Sequence, residues 1–328
     1  MVLQQQFFHQ KEKVKKLKAK VKKYKKRAIL FCKDHYYAIN KNSLQRYDIT
    51  DEGTAVLQAE TKVSKDTYVL AASDSERYLV GMTFSHALTV VDMVENKVIA
   101  KKKAGSNGGS YDFAFAGDDS LLYFIDNQIY CWDFVENKDV LLWSAPAHME
   151  FICRNVVADR LAGSVVFYCL ANGKTESIPE AGTYVITVKG NTLTGMKKLG
   201  EKDRFDSKLV YSEALNCYSL FIDDKICIYD EQFNVLEEME APYFVRREGL
   251  ACKPEKVYLS PDGKWLLLAY RSSYVILMDR KSKEVKCCLC DKDISSYVAV
   301  GFVNERQFCY TKGDSTFIQD FGEICEIL

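Results

Sequence analysis

The 328-residue chain holds only 5 prolines and 17 glycines, and its 45 basic and 45 acidic residues cancel. So little proline and glycine, beside 48% apolar and 12% aromatic residues, excludes a polypeptide that is mainly disordered or collagen-like. No run approaches the ~18 consecutive apolar residues of a membrane-spanning helix, and no apolar stretch with a small-residue cleavage site opens the chain. An intracellular, cytoplasmic protein is the resulting expectation. Histidine is scarce as well. His9, His35, His86 and His148 are scattered, no two of them at metal-ligand spacing and none beside a recognisable nucleophile motif. The sequence therefore assigns no catalytic residue, metal or cofactor, and leans away from an enzyme.

Helical periodicity is almost absent after residue 27. In its place, short β-branched and aromatic runs alternate with tight polar turns, which is the pattern of hairpins. Tyr37-Ala-Ile-Asn-Lys-Asn-Ser-Leu-Gln-Arg-Tyr-Asp48, Leu122-Tyr-Phe-Ile-Asp-Asn-Gln-Ile-Tyr-Cys-Trp-Asp133 and Leu220-Phe-Ile-Asp-Asp-Lys-Ile-Cys-Ile-Tyr-Asp230 are one hairpin written three times. The closing aspartate recurs at Asp48, Asp92, Asp133, Asp230, Asp279 and Asp320, separated by 44, 41, 97, 49 and 41 residues. The long gap is two periods, and its missing member falls near Lys189, so there are seven marks. One position repeated in every unit does not converge on a substrate. These carboxylates are expected to cap the following turn by accepting backbone N–H bonds.

A several-stranded repeat of ~40–45 residues is the signature of propeller blades. Upstream of some hairpins runs a strand ending in a turn such as Ser260-Pro-Asp-Gly-Lys264, where Pro261 presets φ and Gly263 supplies positive φ. The sequence predicts an all-β, seven-bladed β-propeller of four-stranded antiparallel blades at about 28–60, 67–103, 110–145, 150–200, 208–241, 257–290 and 297–328. With Trp132-Asp133 as its one literal Trp-Asp dipeptide, the chain from residue 28 onward resembles the WD40-like class of propellers. That resemblance implies a rigid non-enzymatic scaffold that binds other proteins.

Two blades are irregular. The fourth carries an insertion, 172–182, between its second and third strands, and the longest connection, 241–256, separates the fifth and sixth. Long loops on a rigid scaffold are common places to find binding residues. The second loop presents Tyr243, Phe244, Arg246 and Arg247, residue types enriched at binding hot spots. The competing reading tucks the two rings into the rim and lets the arginines answer local acidic charge.

The neutral total hides a split. Residues 1–27 carry eleven cations against the single Glu12, a net +10, which leaves −10 on the rest. Phe7, Val14, Leu17, Val21 and Tyr24 fall at a and d positions of a heptad, so a basic amphipathic α-helix is expected over 1–27. Lys15, Lys18, Lys22 and Lys25 would be its accessory contacts to a partner. Nucleic-acid binding through residues 11–27 is a further reading, with steep salt dependence as its mark. A propeller enzyme or small-ligand binder with its site at the channel mouth is the other.

Two further motifs dissolve on inspection. Most of the 12 cysteines sit singly in apolar runs, where a reduced thiol acts as a small hydrophobe. In Cys287-Cys-Leu-Cys290, strand alternation puts Cys288 and Cys290 on one face and Cys287 on the other, so the three do not surround one ion. Gly105-Ser-Asn-Gly-Gly109 lacks the Gly-Lys-Ser/Thr ending and the helix of a phosphate-binding loop, and reads as a connector.

Overall fold

The computed structural model describes residues 21–24, 28–32, 35–50, 55–64, 66–103, 112–173, 181–201, 207–242, 244–245, 251–270, 274–290, 294–295, 300–312 and 315–321. Seven antiparallel sheets follow one another along the chain. Blade 1 is Ala28–Phe31, His35–Asn40, Ser43–Ile49 and Ala55–Lys62, and blade 2 is Thr67–Ala72, Tyr78–Thr83, Leu88–Asp92 and Lys97–Lys102. Blade 3 comprises Asp112–Phe115, Ser120–Ile125, Gln128–Asp133 and Lys138–Ser144; blade 4, Met149–Asp159, Ser164–Gly173, Gly182–Lys189 and Thr192–Gly200. Blade 5 is Val210–Ser212, Cys217–Ile222, Lys225–Tyr229 and Val235–Glu240, and blade 6 is Pro254–Leu259, Trp265–Tyr270, Tyr274–Asp279 and Val285–Cys290. Each is a meander of four strands in chain order. From blade 1 to blade 7 each first strand contacts the next, so the first strands line the axis while the fourth strands face outward.

Blade 7 is assembled from both ends of the described chain. Gly301–Asn304, Gln307–Lys312 and Ser315–Asp320 form three strands, Ile294–Ser295 extends the inner edge, and Val21–Tyr24 pairs antiparallel with the outer one, Lys22 opposite Ile318 and Lys23 opposite Phe317. This corrects the expected N-terminal helix. Residues 21–24 are a strand, and the rest of the expected helix lies outside the described residues. The physical reason is tertiary: Ser315–Asp320 would otherwise present an unpaired sheet edge, and a nearby Val-Lys-Lys-Tyr segment satisfies its ladder. Apolar residues three apart on a short segment fit either element, so local pattern did not decide it.

The core is a set of seven interfaces between neighbouring blades. Strand alternation supplies both sides at once. In Trp265–Tyr270, Leu266, Leu268 and Tyr270 pack against blade 5, while Trp265, Leu267 and Ala269 pack against blade 7. In Ser120–Ile125, Leu121, Tyr123 and Ile125 face blade 2, and Leu122 and Phe124 face blade 4. This explains why middle strands read as unbroken apolar runs while Lys138–Ser144 at the rim is mostly exposed. Each fully buried Leu or Phe stabilises the ring by roughly 1.5–3 kcal/mol. The ring closes where Tyr36 and Ala38 of blade 1 meet Cys309 and Ile318 of blade 7.

The turns follow the expected chemistry. Asp92 Oδ1 accepts from the N–H groups of Val94 (2.9 Å) and Glu95 (3.0 Å), Asp133 from Val135 and Glu136, Asp230 from Gln232 and Asn234, and Asp279 from Lys281 and Ser282. Blade 4, with Lys189 at this place, turns instead through Gly190 at φ +55°. Nine cysteines whose side chains are described are free thiols, seven of them buried. Cys287 packs toward blade 7 and Cys288 toward blade 5, on opposite faces of their strand.

Candidate functional site

A propeller strand that starts at the axis must leave its backbone and side chains facing the channel, and there the sequence places charge. On the face carrying the connections between blades, called upper here, the first strands of blades 3 to 6 enclose a pocket of about 750 Å³. Its charged lining is Asp112, Arg154, Lys208, Glu255 and Lys256, with Tyr211 and Tyr258 beside them. No two of these blades contribute neighbouring residues in sequence. The ring brings them together.

Backbone-like pairing fixes the walls. Asn155 uses its side-chain amide as if it were a peptide group: Nδ2 donates to the Leu209 carbonyl at 2.8 Å, and Oδ1 accepts from Leu209 N–H at 3.0 Å. Lys208 N–H donates to the Glu255 carbonyl at 2.7 Å, and Lys208 Nζ donates to the Arg154 carbonyl. Ser219 Oγ donates to the Val257 carbonyl at 2.6 Å, and Tyr218 OH to Asp159 Oδ2 at 2.8 Å. Blades 4, 5 and 6 are thereby held in one register around the pocket.

The electrostatics of this pocket are unusual for the molecule. Burial pushes the Asp112 carboxyl up to about 6, with the Lys208 ammonium pulling against that rise. Burial likewise pulls the Lys256 ammonium down, opposed by Glu255, itself buried. Groups held partly dehydrated in this way gain strength in any contact with an opposite charge on a ligand.

The pocket adjoins the long connection between blades 5 and 6. That connection contains a small hairpin, Phe244–Val245 paired with Ala251–Cys252, and runs directly into Pro254-Glu255-Lys256 of the pocket wall. Its base is anchored by Tyr270 OH donating to the Pro242 carbonyl at 2.9 Å and by an ion pair between Lys253 and Asp224. Of the residues singled out from sequence, Phe244 lies on the hairpin's backbone and Lys22 on the outer strand of blade 7. Tyr243, Arg246, Arg247, Lys15, Lys18 and Lys25 lie outside the described residues, as does the loop 105–109. His86 and His148 fall in turns, at the second-to-third-strand turn of blade 2 and between blades 3 and 4.

Sequence reading missed Asp112, Lys208, Glu255 and Lys256. They come from three different repeats, and a usable signal was present: charge at or just before the start of a blade's first strand, leading into apolar residues.

The geometry defines a class: a closed seven-bladed β-propeller built of four-stranded antiparallel blades. It is similar in fold to the β-propeller domain of Cps50 (Swd1) from Myceliophteria thermophila, at a TM-score of 0.66 and 11% identity over 91% of this chain and 99% of that one. No family model matches the sequence, and no curated protein matches it. Among the described residues no helix is long and apolar enough to cross a membrane.

Proposed function

We propose that this protein is a non-enzymatic scaffold that seats a protein partner across the upper mouth of the channel. The observation that carries the reading is the mixed-charge pocket formed by four blades and continued by the connection 241–256. In this reading Tyr243 and Phe244 are anchors, Arg246 and Arg247 pair with acidic groups of the partner, and Lys208 and Asp112 fix its orientation. The basic segment with Lys15, Lys18, Lys22 and Lys25 is an accessory contact, acting where the protein resides, in the cytoplasm. Affinity purification from native extract tests it with an Arg246→Ala/Arg247→Ala/Lys208→Ala variant beside an outer-rim control, Lys138→Ala. The expected result is a set of proteins retained by the parent and the control and lost by the variant. An identical set in all three overturns the assignment.

A small charged ligand in the same pocket is a second reading, favoured by the opposed shifts of Asp112 and Lys256. It predicts that a polar metabolite raises the melting temperature of the parent and leaves that of Asp112→Asn unchanged.

A further inference from the structure

On the opposite, lower face, the turns joining first and second strands of blades 1 and 2 meet. Cys32 and His35 belong to the first, closed by Cys32 N–H donating to the His35 carbonyl at 2.9 Å, and Glu76 belongs to the second. Cys32 Sγ, a ring nitrogen of His35 and a carboxylate oxygen of Glu76 all lie within 4.8 Å of one another, and His35 Nε2 stands 2.8 Å from Glu76 Oε2. His35 is buried, while Cys32 and Glu76 are half-buried.

Two observations set this cluster apart from an ordinary polar turn. Glu76 sits at φ +58°, where L side chains are strained. The same turn in blade 6 shows what the position ordinarily takes. Ser73 N–H to Tyr78 carbonyl, Glu76 N–H to Ser73 carbonyl and Tyr78 N–H to Ser73 Oγ are repeated there as Ser260 to Trp265, Gly263 to Ser260 and Trp265 to Ser260 Oγ, with Gly263 at φ +70°. A glutamate thus occupies a glycine position, and its carboxylate reaches across the blade boundary to His35. Secondly, the Tyr37 hydroxyl is fully buried with no hydrogen bond of good geometry, its ring edge-on to His35 at 5.2 Å. It is a buried polar group beside the same three residues.

Thiolate, imidazole and carboxylate are the donors of zinc-class sites, and Cys-x-x-His supplies two of them from one tight turn. In a tetrahedral site with bonds of 2.0–2.3 Å, donors lie about 3.5 Å apart, so the His35–Glu76 pair at 2.8 Å opens slightly and the other donor separations, all within 4.8 Å, need only a small adjustment to complete the first three positions. The nearby guanidinium groups are held by other carboxylates, Arg46 by Asp48 at 2.9 Å and Arg160 by Asp74 at 3.3 Å.

We infer that Cys32, His35 and Glu76 bind one zinc-class divalent cation that staples blade 1 to blade 2 and leaves a fourth position for water or an outside donor. Binding releases the Cys32 proton to solvent, with the neutral imidazole and the carboxylate donating lone pairs. The boundary is one where a staple matters: among the described residues its core holds four buried side chains, Tyr37, Leu44, Leu79 and Val91, against thirteen between blades 3 and 4.

The test loads the chelator-treated full chain with Co²⁺ and follows the cobalt–thiolate charge-transfer band, with Zn²⁺ as competitor. The parent is expected to bind one equivalent, to lose the band on adding Zn²⁺, and to melt higher with Zn²⁺. Cys32→Ser should abolish the band, and Glu76→Gly should weaken Co²⁺ binding at least tenfold. Glu76→Gly restores the residue the turn prefers, so its metal-free melting temperature should equal or exceed that of the parent, and lost binding there is not misfolding. No stoichiometric binding by the parent, a band that survives Cys32→Ser, or undiminished affinity in Glu76→Gly overturns the assignment.

Discussion

Replacing Asp112 by Asn should stabilise the propeller at neutral pH. Burial holds this carboxyl at about 6 against an ordinary 3.8, even with Lys208 opposing the rise. Between those values the native state keeps a proton that the unfolded chain has released. The group's contribution is therefore most favourable below the unfolded value, declines as pH rises toward 6, and stays diminished above it. The interval corresponds to about 3 kcal/mol at 1.36 kcal/mol for each pH unit. The amide has nothing to ionise and escapes that cost, so Asp112→Asn should gain up to about 3 kcal/mol at pH 7.5. Parent and variant should converge near pH 4. Urea denaturation of both across pH 4.5 to 8 measures the difference directly. A variant less stable than the parent at pH 7.5, or a difference that does not grow with pH, refutes the reasoning. A destabilising charge kept at the mouth of the channel is what a binding site requires, and the same variant should weaken partner capture.

Tyr218→Phe removes the donor to Asp159 Oδ2 from a site where both residues are buried. The stranded carboxylate oxygen should cost roughly 1–3 kcal/mol in unfolding free energy, although Ala162 N–H still serves Oδ1. Gly182→Ala adds a Cβ only 2.6 Å from the Gly200 carbonyl oxygen at φ +155°, so the second half of blade 4 must shift. A lowered melting temperature is expected, and an unchanged one contradicts this packing. Asp279 is held below the usual carboxylate range, first by the Ser282 N–H and then by Lys281, against some burial. Its contribution is present above the unfolded value and is lost as pH falls through the depressed native one. Asp279→Ala should therefore lower stability at pH 7 and become indistinguishable from the parent in strong acid, as acid titration of tyrosine fluorescence would show.

The regular blades were legible because their rules are local. A hairpin needs alternating apolar residues and a turn, and Asp133 or Asp279 announces that turn within three residues. Even the departure at Lys189 was visible as a missing carboxylate, with Gly190 beside it. What depended on closure was not legible. Val21–Tyr24 carries no mark of its partner strand near the other end of the chain, and the heptad placement of Val21 and Tyr24 favoured a helical reading that only the open edge of Ser315–Asp320 overrules. The channel pocket was hidden for the same reason, since Asp112, Lys208 and Glu255 meet only when the ring forms. Cys32 read as a thiol in an apolar run and His35 as an isolated histidine, and Glu76, 41 residues on, gave no local sign that it meets them.

Closure of the ring by the N-terminal strand is the claim on which the interfaces, the pocket and the lower-face cluster all depend, and paired cysteines measure it. Directly opposed residues of antiparallel strands lie about 4.5–5.5 Å apart at Cα, within reach of a disulfide, whereas a two-residue offset lies at about 7–8 Å and out of reach. Under mild oxidation, Lys23→Cys with Phe317→Cys should yield the linked peptide by mass spectrometry, and Lys23→Cys with Gln319→Cys should not. No link in the first pair, or equal linking in both, contradicts a propeller closed by Val21–Tyr24.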